Sequence, residues 1–359
     1  MTNPGIMAED TLAAVDYVNV PLPIKPRLAP WVTLVDLGDD RMQLRGAEFS
    51  FTLQHPLFIE TFQSIQSLLD GQRTVEEIIS ARDPKFLPTT ITFLLKMLRA
   101  NGVLQEGAVP PPPPLTPENL KEHENLVQFF SHFVIDPVGT LALLHQARVA
   151  LIGSDSITNR VQQGLQSMGF SSPLVVECPR EKTVVDPSQL HKQVTSQLEG
   201  VDILIACQDT TDYRFFQTLN AACLETQTRW MHVAVSGTKG LMGPTIIPHQ
   251  TACYNCYDTR LASNASELQG YRAFQNQTGP SKNEGFLSPL WSTLAEQVTL
   301  EMARIISGFA PPQTIGRLYE FEAMTPLVEG HDVLRLPRCP ACNLKEPKTE
   351  PWDLLAINQ

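Results

Sequence analysis

Hydrophobic and polar residues alternate in three short stretches near the amino terminus and then follow a helical spacing. Phe49, Phe51 and Leu53 alternate with polar neighbours, which is typical of a half-buried strand. Apolar residues three and four positions apart then predict three helices. The strands are predicted at residues 32–34, 41–44 and 49–53, and the helices at 58–69, from a capping box at Thr74, and at 87–98. This order predicts a small, winged-helix-like (α+β) module.

Continuous apolar runs, separated by helical patterns, follow in the rest of the chain. The runs that predict buried strands lie at residues 147–153, 174–176, 201–207 and 230–235. Apolar strands that alternate with helices are typical of a parallel sheet with both faces covered. The second part of the chain is therefore predicted to be α/β, with a Rossmann-like sheet.

A proline-rich stretch, Pro110–Pro114, separates the two patterns. Such a stretch favours polyproline II structure and acts as a semi-rigid spacer. We therefore divide the 359 residues into an amino-terminal arm (1–27), a small domain (28–108), a linker (109–117) and a large domain (118–359).

The composition indicates a folded protein and narrows the range of its partners. Hydrophobic residues make up 42% of the chain and the net charge is -11, so we expect a packed core and no nucleic-acid partner. No apolar stretch reaches the roughly 18 residues that cross a bilayer, and the first residues lack the pattern of a signal peptide. We therefore expect a soluble cytoplasmic protein with no membrane contact.

Four of the seven cysteines form two C-x-x-C pairs, Cys253 with Cys256 and Cys339 with Cys342. In a reducing compartment such pairs indicate metal ligands before disulfides. Together they supply the four thiolates of a tetrahedral structural zinc site, which leaves no open position for catalysis. The alternative is four reduced cysteines without a metal.

The turn after the first buried strand of the large domain is the place where Rossmann-like proteins bind phosphate. Glycines let the backbone approach the phosphate there, and a helix N-terminus supplies a positive dipole. Here the turn begins at Gly153, keeps only the first glycine of G-x-G-x-x-G, and places the carboxylate of Asp155 beside the helix start. The nucleotide site is therefore predicted to be degenerate, and we do not expect this chain to bind ATP.

Two motifs of the small domain are K-P-R-L-A-P-W-V, at residues 25–32, and D-G-Q-R-T-V-E-E-I, at 70–78. With them, Lys25–Glu106 resembles the peptide-chaperone family named for pyrroloquinoline quinone biosynthesis (PqqD-like). Members of that family hold the leader of a ribosomally made peptide, which adds as a strand to the third strand and lies against the third helix. The resemblance implies these leader-binding residues: Glu48, Phe49, Ser50, Phe51, Thr52, Leu53, Phe93, Lys96 and Arg99.

The large domain carries A-C-Q-D at residues 206–209, N-A-A-C at 220–223, and then the two C-x-x-C pairs. In this order the motifs resemble those of the ThiF/MoeB family of adenylating proteins, over Glu118–Asn343. Asp209 matches the aspartate that helps to bind magnesium-ATP in active members, and with Gly153 it marks the degenerate nucleotide site. The resemblance also implies a homodimer.

A leader-recognition module fused to such a domain resembles the ThiF-like (SagC-type) cyclodehydratase partner of thiazole/oxazole-modified microcin pathways. The resemblance implies a non-catalytic scaffold that binds a precursor peptide and presents it to a separate YcaO cyclodehydratase. One alternative is an ATP-dependent peptide-adenylating enzyme of the same superfamily, which Asp209 supports. Another is a winged-helix regulator, which predicts a basic recognition helix; residues 87–98 carry only Lys96 as a cation, with Arg99 just beyond them.

Overall fold

The computed structural model describes residues 17–46, 49–107, 110–176, 186–209, 212–275, 287–325 and 327–342, with Val18 and Asp155 described by their backbone alone. The chain divides into two compact units, Met1–Thr140 and Leu141–Gln359. The first unit thus extends past the proline-rich stretch, and the predicted boundaries of the linker and the large domain stay a prediction.

The first unit contains a three-stranded antiparallel sheet and a set of short helices. Its strands are β1 (Pro26–Leu28), β2 (Thr33–Gly38), β3 (Arg41–Arg45), β4 (Ser50–Leu53) and β5 (Leu104–Glu106). Its helices are α1 (Pro56–Ile65), α2 (Val75–Ser80), α3 (Pro88–Ala100), α4 (Pro117–Glu122) and α5 (Glu124–Phe130), with 3-10 turns at Tyr17–Asn19 and Gln66–Leu68. The sheet has the order β2-β3-β4, and β1 pairs with β5 in a separate ladder. The predicted strands and helices are confirmed, and the β1–β5 ladder was not predicted.

A helix capping box and the apolar faces of the strands and helices account for the packing of this unit. Helix α2 begins at the predicted capping box, where Glu77 N donates to Thr74 Oγ1 (3.2 Å) and Thr74 N donates to a carboxylate oxygen of Glu77 (2.8 Å). These bonds satisfy N–H groups that the first turn of a helix leaves free. The apolar faces of β3, β4 and the helices meet in one core, whose fully buried members include Leu44, Phe62, Ile65, Ile91 and Leu94.

The second unit is a seven-stranded sheet with helices around it. Helix α6 (Pro137–Gln146) runs through the point of division. The remaining strands are β6 (Val149–Gly153), β7 (Leu174–Val176), β8 (Ile203–Gln208), β9 (Arg229–Ser236), β10 (Lys239–Ile246), β11 (Arg317–Glu322) and β12 (Val328–Asp332). The remaining helices are α7 (Asp155–Ser167), α8 (Pro187–Gln197), α9 (Tyr213–Thr226), α10 (Tyr254–Asn264), α11 (Leu268–Gln275) and α12 (Ser288–Ser307).

The order of the sheet is β12-β11-β10-β9-β8-β6-β7. Strands β7, β6, β8 and β9 are parallel, and β10, β11 and β12 continue the sheet in antiparallel pairs. The predicted α/β class with a Rossmann-like sheet is confirmed. Because β6 and β8 are parallel neighbours, their carboxyl ends bring Gly153 beside Cys207, and this places the predicted phosphate turn next to the loop that carries Asp209.

The interior of the second unit is apolar and includes two of the three cysteines outside the C-x-x-C pairs; the third, Cys178, lies outside the described residues. Cys207 and Cys223 are fully buried, and burial raises the pKa of both thiols. Both therefore act as small hydrophobic core residues. Among the described helices, none combines the length and the apolar character needed to span a membrane.

Candidate functional site

The four cysteines of the two C-x-x-C pairs meet in one buried cluster. Cys253 caps the start of α10 and Cys256 lies in its first turn, while Cys339 and Cys342 follow β12. All four are buried, and their Sγ atoms lie within 4.8 Å of one another. The Sγ–Sγ distances are 3.6 Å for Cys253–Cys339, 3.6 Å for Cys256–Cys342 and 3.8 Å for Cys253–Cys256. The fold thus joins two loops that lie far apart in the sequence.

These distances fit a tetrahedral metal site. Four thiolates at about 2.3 Å from a zinc ion are separated by about 3.8 Å from one another, whereas a disulfide needs about 2.05 Å. N–H groups also point at the sulfur atoms: Leu336 N lies 3.4 Å from Cys256 Sγ, and Asn255 Nδ2 lies 3.4 Å from Cys339 Sγ. Such donors stabilise a thiolate, and hydrogen bonds from Cys253 and Leu336 lower the pKa of Cys256.

Arginine side chains hold the two cysteine loops together outside the cluster. Arg260 of α10 donates through Nε to Leu334 O (2.7 Å). Arg335 donates to His249 O (2.9 Å), which lies ahead of Cys253, and to Cys342 O (3.3 Å). The cluster is therefore positioned by hydrogen bonds to backbone carbonyls as well as by its thiols.

The predicted phosphate turn packs tightly against the end of β8. Gly153 has a φ of 134°, and a Cβ at this position would overlap the carbonyl oxygen of Cys207. Ser154 N donates to the same oxygen at 2.9 Å. Glycine is therefore required here by the close approach of two strand ends, and this requirement holds whether or not a phosphate binds.

The carboxylate of Asp209 is hydrogen-bonded by two serines of that turn. Ser154 Oγ lies 2.7 Å from Oδ1, and Ser156 Oγ lies 3.0 Å from Oδ2. The backbone N–H of Asp209 also lies 3.3 Å from Ser154 Oγ. Both carboxylate oxygens thus have partners within the chain. Asp209 and Gly153 were predicted from their sequence motifs. The two serine partners were not predicted, because only the pairing of β6 with β8 brings their hydroxyls to Asp209.

Strand β4 is an edge strand, and its outward groups belong to two of the predicted leader-binding residues. Gly46 N donates to Phe49 O at 2.9 Å, so Phe49, Phe51 and Leu53 direct their backbone groups towards β3. Because these directions alternate along a strand, Ser50 and Thr52 direct theirs to the open edge. In the described part of the chain, no backbone group pairs with that edge.

Exposed apolar side chains lie on helices α1 and α3 and at the N-cap of α3. The ring of Phe93, on α3, stacks on Phe58 of α1 with centroids 5.7 Å apart and meets Tyr17 edge-on at 5.8 Å. Phe93 is 40% exposed, and Leu57 and Leu87 nearby in sequence are also exposed. Neither Phe58 nor Tyr17 was among the predicted site residues: Phe58 was predicted only as part of a helix, and Tyr17 lies in the amino-terminal arm, for which no structure was predicted.

The other predicted leader-binding residues occupy different environments. Glu48 lies outside the described residues, and Phe49 meets the ring of Trp31 edge-on at 5.6 Å. Lys96 is half-buried on α3. Arg99 donates to Leu104 O (2.8 Å) and Ile135 O (3.4 Å), and burial lowers the pKa of its guanidinium. The structure therefore places Arg99 in the framework of the first unit.

A buried histidine of the sheet, His232 on β9, is surrounded by aromatic rings. Its Nδ1 lies 2.8 Å from Gly243 O, and the ring centroid of Phe216 is 4.4 Å away. Burial lowers its pKa to about 4, so the folded protein holds the neutral imidazole. The buried, neutral ring therefore serves the packing of the sheet.

Acidification is expected to destabilise the fold through His232. An unfolded histidine titrates near pH 6.5, so between about pH 6.5 and about pH 4 only the unfolded chain binds this proton. The free energy of unfolding therefore falls by about 1 kcal/mol between about pH 6.5 and about pH 5.5. Denaturant titrations at both pH values measure this loss. The His232→Phe variant should lose less over the same interval; an equal loss would assign the pH dependence to other groups.

Comparisons with known proteins agree with this fold. The model of the ThiF family matches residues 144–343, more than half of the chain, and the protein belongs to the ThiF family. No curated protein matches the chain.

Solved structures with the same fold include heterocyclases and a protein from E. coli. A heterocyclase in complex with substrate and cofactor superposes with a TM-score of 0.63 at 21% identity, covering 88% of this chain and 39% of that chain. The heterocyclase TruD gives 0.62 at 22%, covering 89% and 43%. E. coli MccB with MccA-N7isoASN gives 0.62 at 14%, covering 89% and 99%. The chain thus spans less than half the length of these two heterocyclases and nearly all of MccB.

Proposed function

We propose that the protein binds the leader of a ribosomally made precursor peptide and presents it to a separate YcaO cyclodehydratase for azoline formation. The observation that carries this proposal is the open edge of β4, with outward backbone groups on Ser50 and Thr52. An added strand gains affinity from main-chain hydrogen bonds and specificity from side-chain pockets. The exposed ring of Phe93 supplies such a contact.

The scaffold role is supported by the fold shared with heterocyclases, one of which was solved with its substrate and cofactor. In this role the first unit acts as the PqqD-like recognition element and the second as the ThiF-like part of a SagC-type partner. A bound leader raises the effective concentration of the core peptide at the YcaO subunit, so the scaffold needs no catalytic residue. We include a second copy of the chain among its partners and place the complex in the cytoplasm.

Within this proposal the four-cysteine cluster holds one zinc ion. Cys253, Cys256, Cys339 and Cys342 fit a tetrahedral set at the observed sulfur spacing. Four protein ligands leave no position for water or substrate, so the ion stabilises the fold and takes no part in a reaction.

A second candidate, an ATP-dependent peptide-adenylating enzyme, is favoured by a different observation. The chain covers 99% of MccB, a protein that has been solved together with ATP, and Asp209 is present at the end of β8. Against it stand the single glycine of the turn and the serine hydroxyls that hold both oxygens of Asp209.

Titration of labelled leader peptides, encoded beside the gene, into the purified chain tests the scaffold proposal. ATP–pyrophosphate exchange separates the two candidates. We expect no appreciable exchange with any peptide, and we expect Asp209→Ala to change azoline formation by a reconstituted pathway less than about twofold, since about 0.4 kcal/mol corresponds to that factor. The Ser156→Ala variant is the matched control, because it removes one partner of Asp209 and keeps the carboxylate. Robust exchange that Asp209→Ala abolishes would establish the adenylating enzyme.

A further inference from the structure

A short turn of the amino-terminal arm packs on helix α3. This arm turn, Tyr17–Asn19, is a 3-10 turn in contact with the helix. The ring of Tyr17 meets the ring of Phe93 edge-on at 5.8 Å, and Phe93 in turn stacks on Phe58. Tyr17 is half-buried in this position, whereas Phe93 keeps 40% of its surface exposed. The arm turn therefore covers one part of the Phe93 ring and leaves another part open.

The Phe93 ring also belongs to the surface that the proposed function assigns to the leader peptide. Phe93 and Lys96 lie three residues apart on α3 and so share one face of that helix. A leader that adds to β4 and lies against α3 contacts this face with its side chains. The arm turn and the leader thus have one contact in common, the ring of Phe93.

The base of the arm is held more firmly than the arm turn. At the base, Ile24 N and Lys25 N donate to the two carboxylate oxygens of Glu106 at 2.8 Å and 2.7 Å. Hydrogen bonds to a charged group are about twice as strong as those between neutral groups. At the arm turn, Val20 N donates to Tyr17 O at 3.4 Å, which is longer than an ordinary hydrogen bond. The arm turn can therefore leave α3 while the base of the arm stays in place.

We propose that the arm turn is an autoinhibitory cover, which the ring of Tyr17 holds on Phe93 until a leader peptide displaces it. The inference rests on the proposed leader-binding function and adds a control step to the same site. A protein whose binding-competent state is only partly populated binds its ligand more weakly, in proportion to that population. The cover also reduces the exposed aromatic surface of the peptide-free protein, which would otherwise attract other apolar surfaces.

The cover makes binding depend on the side chains of the leader as well as on its backbone. Any extended peptide gains main-chain hydrogen bonds at the open edge of β4. A peptide that displaces the arm turn must also replace the ring contact between Tyr17 and Phe93. A peptide with an apolar side chain at that position replaces the contact, whereas one with a polar side chain does not. The cover therefore discriminates between peptides that main-chain pairing alone would accept equally.

Removal of the Tyr17 ring tests the cover. Fluorescence anisotropy of the labelled leader peptides encoded beside the gene should give a dissociation constant about three- to tenfold lower for Tyr17→Ala than for the wild type, because the closed state loses its aromatic contact. Tyr17→Phe keeps the ring and should match the wild type. Ile24→Ala is the matched control at the base of the arm, since this side chain is 75% exposed and its replacement keeps the N–H group. Its affinity should be unchanged.

Hydrogen–deuterium exchange of the wild type supplies a second measurement that needs no variant. Saturating leader should increase the exchange of the amides of Tyr17–Asn19 and Val20, because the displaced arm turn no longer packs on α3. The amides of β1, Pro26–Leu28, should keep their protection, because the base of the arm stays in place.

The two measurements separate failure of the cover from failure of leader binding. A leader that binds Tyr17→Ala with the wild-type affinity or more weakly would reject the cover and keep the scaffold proposal. The weaker binding would place Tyr17 in the peptide-binding surface itself. A bound leader that leaves the exchange of the arm turn unchanged, or slows it, would reject the cover in the same way. Absence of binding to the wild type and to Tyr17→Ala alike would reject the scaffold proposal and the cover together.

Discussion

Replacement of Cys339 and Cys342 together by serine is expected to release the metal and to unfold the carboxyl-terminal part of the second unit. Binding of structural zinc contributes about 10–16 kcal/mol in small metal-dependent folds, as much as the whole stability of an ordinary domain. The cluster is also continuous with the core, where Tyr254 and Trp230 are fully buried beside it. Loss of the metal should therefore destabilise the neighbouring core as well as the loop that carries Cys339 and Cys342.

Metal analysis of the purified chain measures this directly, with one zinc per chain expected for the wild type and none for the double variant. Thermal unfolding followed by circular dichroism should show a lower midpoint. Cys223→Ala is the matched control, because this buried cysteine lies outside the cluster and its replacement should keep the zinc. A wild-type protein without zinc, or a double variant that retains it, would contradict the assignment.

The four cysteines of the cluster were predicted from the sequence, but the groups that surround them were not. The spacing within each C-x-x-C pair is local, so the sequence predicted the four cysteines that the fold brings together. The loops are 86 residues apart along the chain, and only the sheet brings Cys339 to Cys253. The donors on the sulfur atoms, Leu336 N and Asn255 Nδ2, depend on that arrangement and have no sequence signature.

Polar networks between elements were the part that the sequence could not predict. The carboxylate of Asp258 is buried on α10 and is held by Gln217 of α9 and by Tyr271 and Gln275 of α11. No local pattern in the sequence shows which helices meet around this carboxylate. Ser154 and Ser156 around Asp209 are a second case of the same kind. Local apolar periodicity predicts elements well, whereas hydrogen bonds between distant elements require the tertiary structure.

Proline substitutions in β4 are expected to remove leader binding. Ser50 and Thr52 carry the outward N–H groups of this strand, and proline has no N–H to donate to an added strand. Each single replacement should weaken binding at least about tenfold, or about 1.4 kcal/mol, and the double replacement about a hundredfold. Fluorescence anisotropy of a labelled leader peptide, titrated with each variant, measures these losses.

The matched controls are Ser50→Ala and Thr52→Ala, which remove the side chains and keep the N–H groups. Their affinities should stay close to that of the wild type, because main-chain pairing rather than the hydroxyls supplies the contact. Retention of zinc and of the thermal midpoint in the proline variants would show that the fold survives. Unchanged affinity in a folded Ser50→Pro or Thr52→Pro variant would mean that the peptide does not add to β4. Equal losses in the alanine and proline variants would assign the contact to the side chains instead.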